Sequence, residues 1–165
     1  MELTYGEKVK LDSKDKLIVE QLQKNCRQSI AQISKKTRLP RDVVMYRIRR
    51  MEDLNVIRGH HTFLDPTKLG FPLYAYILLS CYNIAPKEEA SLVAWLKENP
   101  QIVYVAKNSG RWDFTLGVCA REYRDFDELI RSIRHKFANA IREIEQLPTI
   151  QEYKFDWMAD LVGLK

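Results

Sequence analysis

The hydrophobic and polar positions near the start of the chain repeat with the period of an α-helix. Ile18 and Leu22 lie about one turn apart, and Asp12 or Ser13 precedes them as a residue type that caps helix N-termini. A short second helix is expected after Ser29, which is also a good capping residue. These patterns predict two consecutive helices in the first quarter of the chain.

A third helix is predicted to begin at Pro40, because proline suits a first turn, where a backbone N–H has no helical partner. Val44, Ile48 and Met51 follow at helical spacing and predict one buried face. Asn55 comes next, and asparagine tolerates the left-handed conformation in which many helices end. The order of helix, short helix and helix is that of a helix-turn-helix, whose last helix lies in the major groove of DNA.

After the third helix the pattern changes from helix to strand. Residues 56–64 are β-prone with a central glycine and predict a small hairpin, the wing of a winged helix-turn-helix. Turn signals at 65–66 and 69–72 follow and mark a domain boundary. We therefore predict a first domain over residues 1–66 and a second over residues 67–165.

The second half of the chain alternates strand and helix patterns. Strands are predicted at 73–82, 102–107, 113–120 and within 141–155, and helices at 85–99 and 122–137. This β-α-β-β-α-β order is that of the ferredoxin-like unit. The predicted fold class is therefore α+β, with a winged helix-turn-helix followed by a ferredoxin-like domain.

The first predicted strand of the second domain is apolar or aromatic on both faces. Tyr74, Tyr76 and Leu78 share one face, while Ala75 and Ile77 belong to the other. Helices cover one face of a sheet of this kind and leave the other open. An open apolar face needs a partner, so a homodimer or a multiple of dimers is predicted.

The charge of the chain is concentrated at one end. The protein has 165 residues and a net charge of +5, yet residues 1–66 hold 14 Lys and Arg against 9 Asp and Glu, while the remainder holds 13 of each. Such asymmetry indicates a half that binds a polyanion joined to a neutral half. A solvated basic surface without a ligand is the alternative interpretation.

The candidate DNA contacts are the basic and aromatic residues of the second helix, the third helix and the wing. Arginine bonds guanine through two hydrogen bonds, and both arginine and lysine attract phosphates. The candidates are Lys35, Arg38, Arg41, Tyr46, Arg47, Arg49, Arg50 and Arg58.

Other kinds of site have little support in the sequence. Cys26, Cys81 and Cys119 are scattered and odd in number, which favours reduced thiols in a cytoplasmic protein. The three histidines have no companions at a metal-ligand spacing, and no phosphate-binding or dinucleotide motif is present. The apolar runs are too short for a membrane helix, and the N-terminus is not typical of a secretory signal. We expect no metal, no cofactor, no catalytic residues and no membrane association.

Five segments of the chain carry characteristic residues at fixed spacings. They are Leu11-Asp12-x-x-Asp15-x-x-Ile18, Asn25-x-Arg27, Leu39-Pro40-x-x-x-Val44-x-x-Arg47-Ile48-Arg49-Arg50-Met51-Glu52, Val56-Ile57-Arg58-Gly59 and Leu64-Asp65-Pro66-x-x-Leu69-Gly70. With the β-α-β-β-α-β tail, they resemble the Lrp/AsnC "feast/famine" family of transcription regulators, most of all its archaeal members. The resemblance implies sequence-specific binding of double-stranded DNA, assembly of dimers, and regulation by a small effector, often an amino acid.

The resemblance also implies an effector loop. Gly110 and Asp113 match the family's G-x-x-D turn between the second and third strands of the second domain, which lies at the interface between dimers. There Gly110 exposes backbone N–H groups, Asp113 is suited to an ammonium group, and Arg111 to a carboxylate. An equal alternative is a tight hairpin turn in which Asp113 accepts backbone hydrogen bonds.

Three residues depart from the family pattern, and two other functions stay open. Arg38 and Asn55 stand where glycine is usual, and Pro40 stands where a capping serine is usual. Some relatives with this two-domain plan resemble decarboxylases of haem precursors, for which His60, His61, Tyr104 and Arg111 are the conceivable parts. The other alternative is an architectural protein that coats DNA without an effector, with a binding curve dominated by salt.

Overall fold

The computed structural model describes residues 8–155 and 157–162. The chain divides into two compact units, of which the first contains the residues up to Phe63 and those from Tyr153 onward. The second unit contains Leu64–Glu152. The division near residue 63 lies close to the predicted boundary at residue 66.

The first unit is built on three helices, α1 (Ser13–Lys24), α2 (Ile30–Thr37) and α3 (Arg41–Asp53). Asp12 caps α1, and Ser29 caps α2, as their positions predict. A small core joins the three helices, because each contributes apolar side chains that are almost fully buried. The buried side chains are Ile18, Ile33, Val44, Ile48 and Met51.

Two residues in the left-handed conformation terminate helices in this unit. Arg38 follows α2 with φ 59°, and Asn55 follows α3 with φ 54°. Between α2 and α3, the hydroxyl of Ser34 donates to the carbonyl of Leu39 at 2.6 Å and fixes the turn. Pro40 is the N-cap of α3 rather than its first helical residue. The turn of the helix-turn-helix is therefore set by a left-handed residue and a proline.

The predicted hairpin over residues 56–64 is wrong, because this segment contains no strand. The backbone N–H groups of Val56 and Ile57 both bond to the carbonyl of Met51, at 2.8 and 3.0 Å. Their donors therefore complete the end of α3 instead of a cross-strand ladder. The same two side chains pack against the helical core.

The last described segment belongs to the first unit, which corrects the prediction that all of residues 67–165 form the second domain. Oε1 of Gln23 in α1 accepts the backbone N–H groups of Met158 at 3.1 Å and Ala159 at 2.6 Å. Ala159 is completely buried, and Phe155 packs edge to face on Phe63. The side-chain amide oxygen of Gln23 thus binds this segment to α1 through two backbone N–H groups.

The second unit is a four-stranded antiparallel sheet with two helices. In chain order its elements are β1 (Leu73–Cys81), α4 (Pro86–Glu98), β2 (Ile102–Lys107), β3 (Phe114–Ala120), α5 (Tyr123–Lys136) and β4 (Ile141–Pro148). The strands lie in the order β2-β3-β1-β4, as the β-α-β-β-α-β pattern predicts. The last strand ends at Pro148, within the predicted range 141–155.

The two faces of this sheet differ in burial. Ala75, Ile77 and Leu79 of β1 are completely buried with residues of α4 and α5. Tyr74 and Tyr76, which alternate with them, are half-buried on the other face and pack edge to face at 5.4 Å. Within the described ranges, no helix has the length and apolar character needed to cross a bilayer.

Candidate nucleic-acid interface and effector loop

Helix α3 has one buried side and one exposed side, as its apolar spacing predicts. Val44 and Met51 are completely buried, and Ile48 is nearly so. On the opposite side Tyr46 is 67% exposed and Met45 is 41% exposed. Large side chains held outward at the start of a recognition helix are available to the edges of bases.

Four of the predicted DNA contacts are exposed cations without an intramolecular partner. Lys35 lies in α2, Arg38 in the turn, and Arg41 and Arg49 in α3. Within residues 8–155 and 157–162, none of the four side chains forms an ion pair or a hydrogen bond. Their charges are therefore solvated in the free protein and are available to phosphates or bases.

Arg47 and Arg50 are placed differently. Nη1 of Arg47 lies 2.8 Å from Oδ1 of Asp12 and 2.7 Å from Oδ1 of Asp15, and the Arg47 side chain is 19% exposed. Nη1 of Arg50 lies 3.8 Å from Oδ2 of Asp15, and Nη2 donates to the carbonyl of Lys10 at 3.3 Å. Both arginines connect α3 to α1 or to the segment before it, so their fixed partners are carboxylates of the protein itself.

This ion-pair cluster was missed by sequence reasoning, although one of its signals is visible there. Asp15 is recognisable as a first-turn acid, but its side chain is 2% exposed and its Oδ2 also accepts the backbone N–H of Asp12 at 3.0 Å. A backbone hydrogen bond from Asp15, followed by Arg47, holds the pKa of Asp12 below its ordinary value. Burial opposes the charge of Arg47, but hydrogen bonds to Asp15 and Asp12 raise its pKa overall.

The remaining candidate from the wing is Arg58, which is half-buried in the irregular segment after α3. No described residue forms an ion pair or hydrogen bond with its side chain. Nearby in the chain, Nε2 of His60 lies 3.4 Å from Oε1 of Glu52. A role of Arg58 in binding DNA stays a prediction.

The predicted effector loop follows β2. Gly110 has φ 128°, a backbone conformation that favours glycine, and nothing lies within 4 Å of where a Cβ would stand. The backbone N–H of Asn108 donates to the carbonyl of Asp113 at 2.8 Å and closes the turn. Gly110 thus occupies an open position with a positive φ in a tight turn, as the sequence predicts.

Both partners expected for an amino acid already have contacts inside the protein. Oδ2 of Asp113 accepts the backbone N–H of Cys81 at 2.6 Å, which supports the interpretation of a turn-stabilising carboxylate. Nη2 of Arg111 lies 3.1 Å from Oε1 of Glu143, and its guanidinium stacks 4.8 Å from the centre of the Trp112 ring. Oδ1 of Asp113 has no hydrogen-bond or ion-pair partner among the described residues, and the Arg111 side chain is exposed.

The other polar and reactive groups do not form a second site of this kind. In the described part of the chain, no three His, Cys, Asp or Glu residues are grouped as metal ligands, and all three cysteines are free thiols. Burial raises the pKa of Cys81 to about 11, so its thiolate is disfavoured. A surface pocket of about 720 Å³ lies along α4 and reaches Lys107, but it includes none of the three loop residues named above.

Comparison with known proteins covers most of the chain. A family model described as "Winged helix-turn-helix DNA-binding" matches residues 11–58. The HTH-type transcriptional regulator FL11 of Pyrococcus horikoshii is 32% identical over 129 residues, which are 76% of this chain and 83% of that protein. The HTH-type transcriptional regulator Rv2324 of Mycobacterium tuberculosis is 32% identical over 126 residues, with the same two shares. The relatives are named as transcription regulators, and not as enzymes.

Solved structures share the fold across both units. The crystal structure of an AsnC family transcriptional regulator from Agrobacterium tumefaciens has a TM-score of 0.78 at 23% identity, covering 88% of this chain and 94% of that one. The transcriptional regulator NMB0573 from Neisseria meningitidis, solved as a complex with L-Met, has a TM-score of 0.78 at 20% identity, covering 88% and 93%.

Proposed function

Because the chain belongs to the Lrp/AsnC family of helix-turn-helix transcription regulators, we propose that it binds DNA through the exposed cations of α2, α3 and the turn between them. The protein is a DNA-binding transcription regulator, and nothing in its relatives supports the alternative of a haem-precursor decarboxylase. The proposed contacts are Lys35, Arg38, Arg41, Tyr46 and Arg49, with Arg58 as a further one from the segment after α3.

The observation that carries this proposal is the division of the basic residues into two sets. Arg47 and Arg50 neutralise Asp12 and Asp15, so their charges serve the packing of α3 on the preceding segment. Among the residues that the structure describes, no carboxylate pairs with the exposed set. Since burying or pairing a charge with protein groups competes with phosphate binding, the exposed set is the better candidate for contacting DNA.

A gel-shift titration with the full chain tests the division. Arg41→Ala and Arg49→Ala are expected to weaken binding to the promoter of its own gene by roughly 5-fold to 100-fold each. Arg134→Ala removes one exposed charge from α5 of the other unit and serves as the control. If the two α3 variants bind as tightly as the control, α3 is not the reading helix.

We also propose that the open face of the sheet forms a dimer interface. Tyr104 is 51% exposed and Leu147 is 43% exposed on the same face as Tyr76. In the register of the sheet, Gly117 lies between Tyr104 and Tyr76, and Leu147 lies on the other side of Tyr76. A Cβ at Gly117 would stand 2.9 Å from the Tyr74 hydroxyl, so glycine leaves room for that side chain over the sheet. An open face that carries aromatic and apolar side chains is suited to a second copy of itself.

Two copies place two α3 helices on one face of DNA. Helix-turn-helix dimers bind half-sites about one helical turn apart, so the site is expected to be roughly palindromic. A non-palindromic site with a binding curve dominated by salt would instead favour the architectural alternative. We expect the protein to act in the cytoplasm, where the chromosome of a prokaryote lies.

A small amino-acid effector is proposed for the loop over Gly110, Arg111 and Asp113. Support comes from the open backbone at Gly110, the remaining carboxylate oxygen of Asp113 and the exposed guanidinium of Arg111. The structural neighbour NMB0573 was solved with L-Met, which is consistent with an amino acid. Binding at such a loop would alter assembly and thereby the affinity for DNA.

A further inference from the structure

The exposed face of α3 carries a carboxylate among its cations. Asp42 lies in the first turn of α3, directly after Arg41, and is exposed. No described residue forms an ion pair or a hydrogen bond with its side chain. At 100° per residue, Asp42, Tyr46 and Arg49 share one strip of the helix surface, so this charge lies at the centre of the proposed DNA-binding face.

A free carboxylate in this place works against binding to a polyanion in general. DNA carries one negative charge per about 1.7 Å of its axis, and each carboxylate brought close to it is repelled. A negative charge in a first turn does favour the helix dipole, but that benefit is small and is available from residues that point away from DNA. Asp42 therefore lowers the affinity for DNA in general, and its weak stabilisation of the helix dipole does not explain why a carboxylate stands there.

The cost is offset where the carboxylate accepts a hydrogen bond from a base. In the major groove cytosine presents its N4 amino donor, and acidic side chains accept from it. Guanine presents two acceptors, thymine presents O4, and adenine pairs its amino donor with the acceptor N7, so each of these edges is less favourable to a carboxylate. The first turn of a recognition helix is the part that reaches base edges.

We propose that Asp42 is a specificity-determining residue that reads the N4 amino group of a cytosine once in each half-site. This inference rests on the proposed binding of DNA by α3. The neighbouring cations supply affinity for phosphates of any sequence, and Asp42 penalises every site that lacks a donor opposite its carboxylate. A regulator gains selectivity in this way without tighter binding, because specificity is a difference between affinities.

The test uses the full chain and a library of duplexes with a randomised central segment. Sites are selected with the wild type, with Asp42→Asn and with Asp42→Ala, and their base preferences are compared position by position. Asp53→Asn is the matched control, since Asp53 is an exposed acid at the other end of the same helix. Melting curves of all four proteins establish that the helices are equally folded.

The wild type is expected to select cytosine at one position of each half-site, by about 5-fold to 100-fold over other bases. Asp42→Ala is expected to lose that preference alone, and Asp42→Asn to move it toward adenine, which asparagine bonds through N6 and N7. Asp53→Asn is expected to retain the wild-type preference. An unchanged preference in both Asp42 variants would overturn the inference. If the wild type does not bind DNA, or if Arg41→Ala and Arg49→Ala bind it as tightly as the wild type does, the proposed function is overturned, and this inference with it.

Discussion

Nη1 of Arg47 lies 2.7 Å from Oδ1 of Asp15, whose side chain is 2% exposed, so an almost buried carboxylate of α1 holds an arginine of α3. Asp12 lies 2.8 Å from the same Nη1 and completes the cluster. Because breaking a buried ion pair leaves an uncompensated charge, the cluster fixes the orientation of α3 more strongly than surface ion pairs do.

The first prediction concerns the stability of this cluster. Arg47→Met is expected to destabilise the first unit by about 2–3 kcal/mol, since it leaves the buried Asp15 with only the more distant Arg50 as a cation; the partial exposure of Arg47 keeps the loss below that of a fully buried pair. Urea unfolding followed by circular dichroism measures it. Arg49→Met, at an exposed position two residues after Arg47 on the same helix, is the control and is expected to change stability by less than about 0.5 kcal/mol. Equal losses in both variants would contradict the assignment.

The second prediction follows from the lowered pKa of Asp12. A carboxyl whose pKa is lower in the folded state contributes stability above its unfolded value, 3.8, and loses that contribution as the pH falls through the folded value. The wild type is therefore expected to be more stable than Asp12→Asn at pH 7, and the difference is expected to shrink below about pH 4. Thermal melting of both proteins between pH 7 and pH 2.5 measures this, and a constant difference would contradict it.

The third prediction separates the backbone and the charge of Arg38, which has φ 59°. Arg38→Gly relieves the cost of a left-handed side chain and is expected to leave stability unchanged or to raise it by up to about 1 kcal/mol. The same change removes a proposed phosphate contact, so DNA affinity is expected to fall and the salt slope to decrease by about one unit. Arg38→Lys is the control, because it keeps the charge and the side-chain strain. Unaltered affinity in Arg38→Gly would exclude a DNA contact at this residue.

The organisation of both units could be predicted from the sequence because it depends on local periodicity. Val44, Ile48 and Met51 are spaced for one helix face, and that face is the buried one. The alternation along β1 likewise separates Ala75 and Ile77 from the exposed side of the sheet. In each case the property follows from residues that are neighbours in the same element.

Contacts between distant segments could not be predicted in this way. Helical spacing leaves Arg47 at the edge of the buried face, and only the approach of Asp15 across 32 positions of sequence decides that it pairs with protein. The same limit applies to Gln23, which accepts hydrogen bonds from residues 135 and 136 positions away. In residues 56–64, a β-prone composition produced a wrong prediction, because the donors of Val56 and Ile57 are already used by the end of α3.

The fourth prediction concerns assembly through the open face of the sheet. Leu78 is half-buried on that face and lies opposite Glu145 in the register, so Leu78→Lys has an acidic neighbour and the isolated sheet is expected to tolerate it. In a dimer interface the same lysine would be desolvated, and the full chain is expected to dissociate to monomers at micromolar concentration. Analytical ultracentrifugation measures this, with Tyr123→Lys at an exposed position of α5 as the control. A Leu78→Lys protein that sediments as the wild type does would contradict the interface.

The fifth prediction tests the effector loop, and the contact between Asp113 and Cys81 determines which variant is informative. Asparagine retains an oxygen that accepts the Cys81 N–H, so Asp113→Asn keeps the turn and removes only the charge. Calorimetric titration of the wild type against the twenty amino acids comes first. For an amino acid that binds, Asp113→Asn is expected to lower the affinity about 10-fold to 100-fold, because a charge-assisted hydrogen bond to its ammonium group is lost. Arg111→Gln is expected to do the same through the carboxylate.

DNA binding without effector separates a binding role of this loop from a purely structural one. Asp113→Asn is expected to bind the promoter as the wild type does, since Asp113 belongs to the sheet unit and the cations proposed to contact DNA belong to the helical one. Equal amino-acid affinity in the wild type and in Asp113→Asn would leave Asp113 with its backbone hydrogen bond as its whole role. If no amino acid binds the wild type, the amino-acid effector is excluded while the DNA-binding proposal stands, because the two rest on different residues in different units.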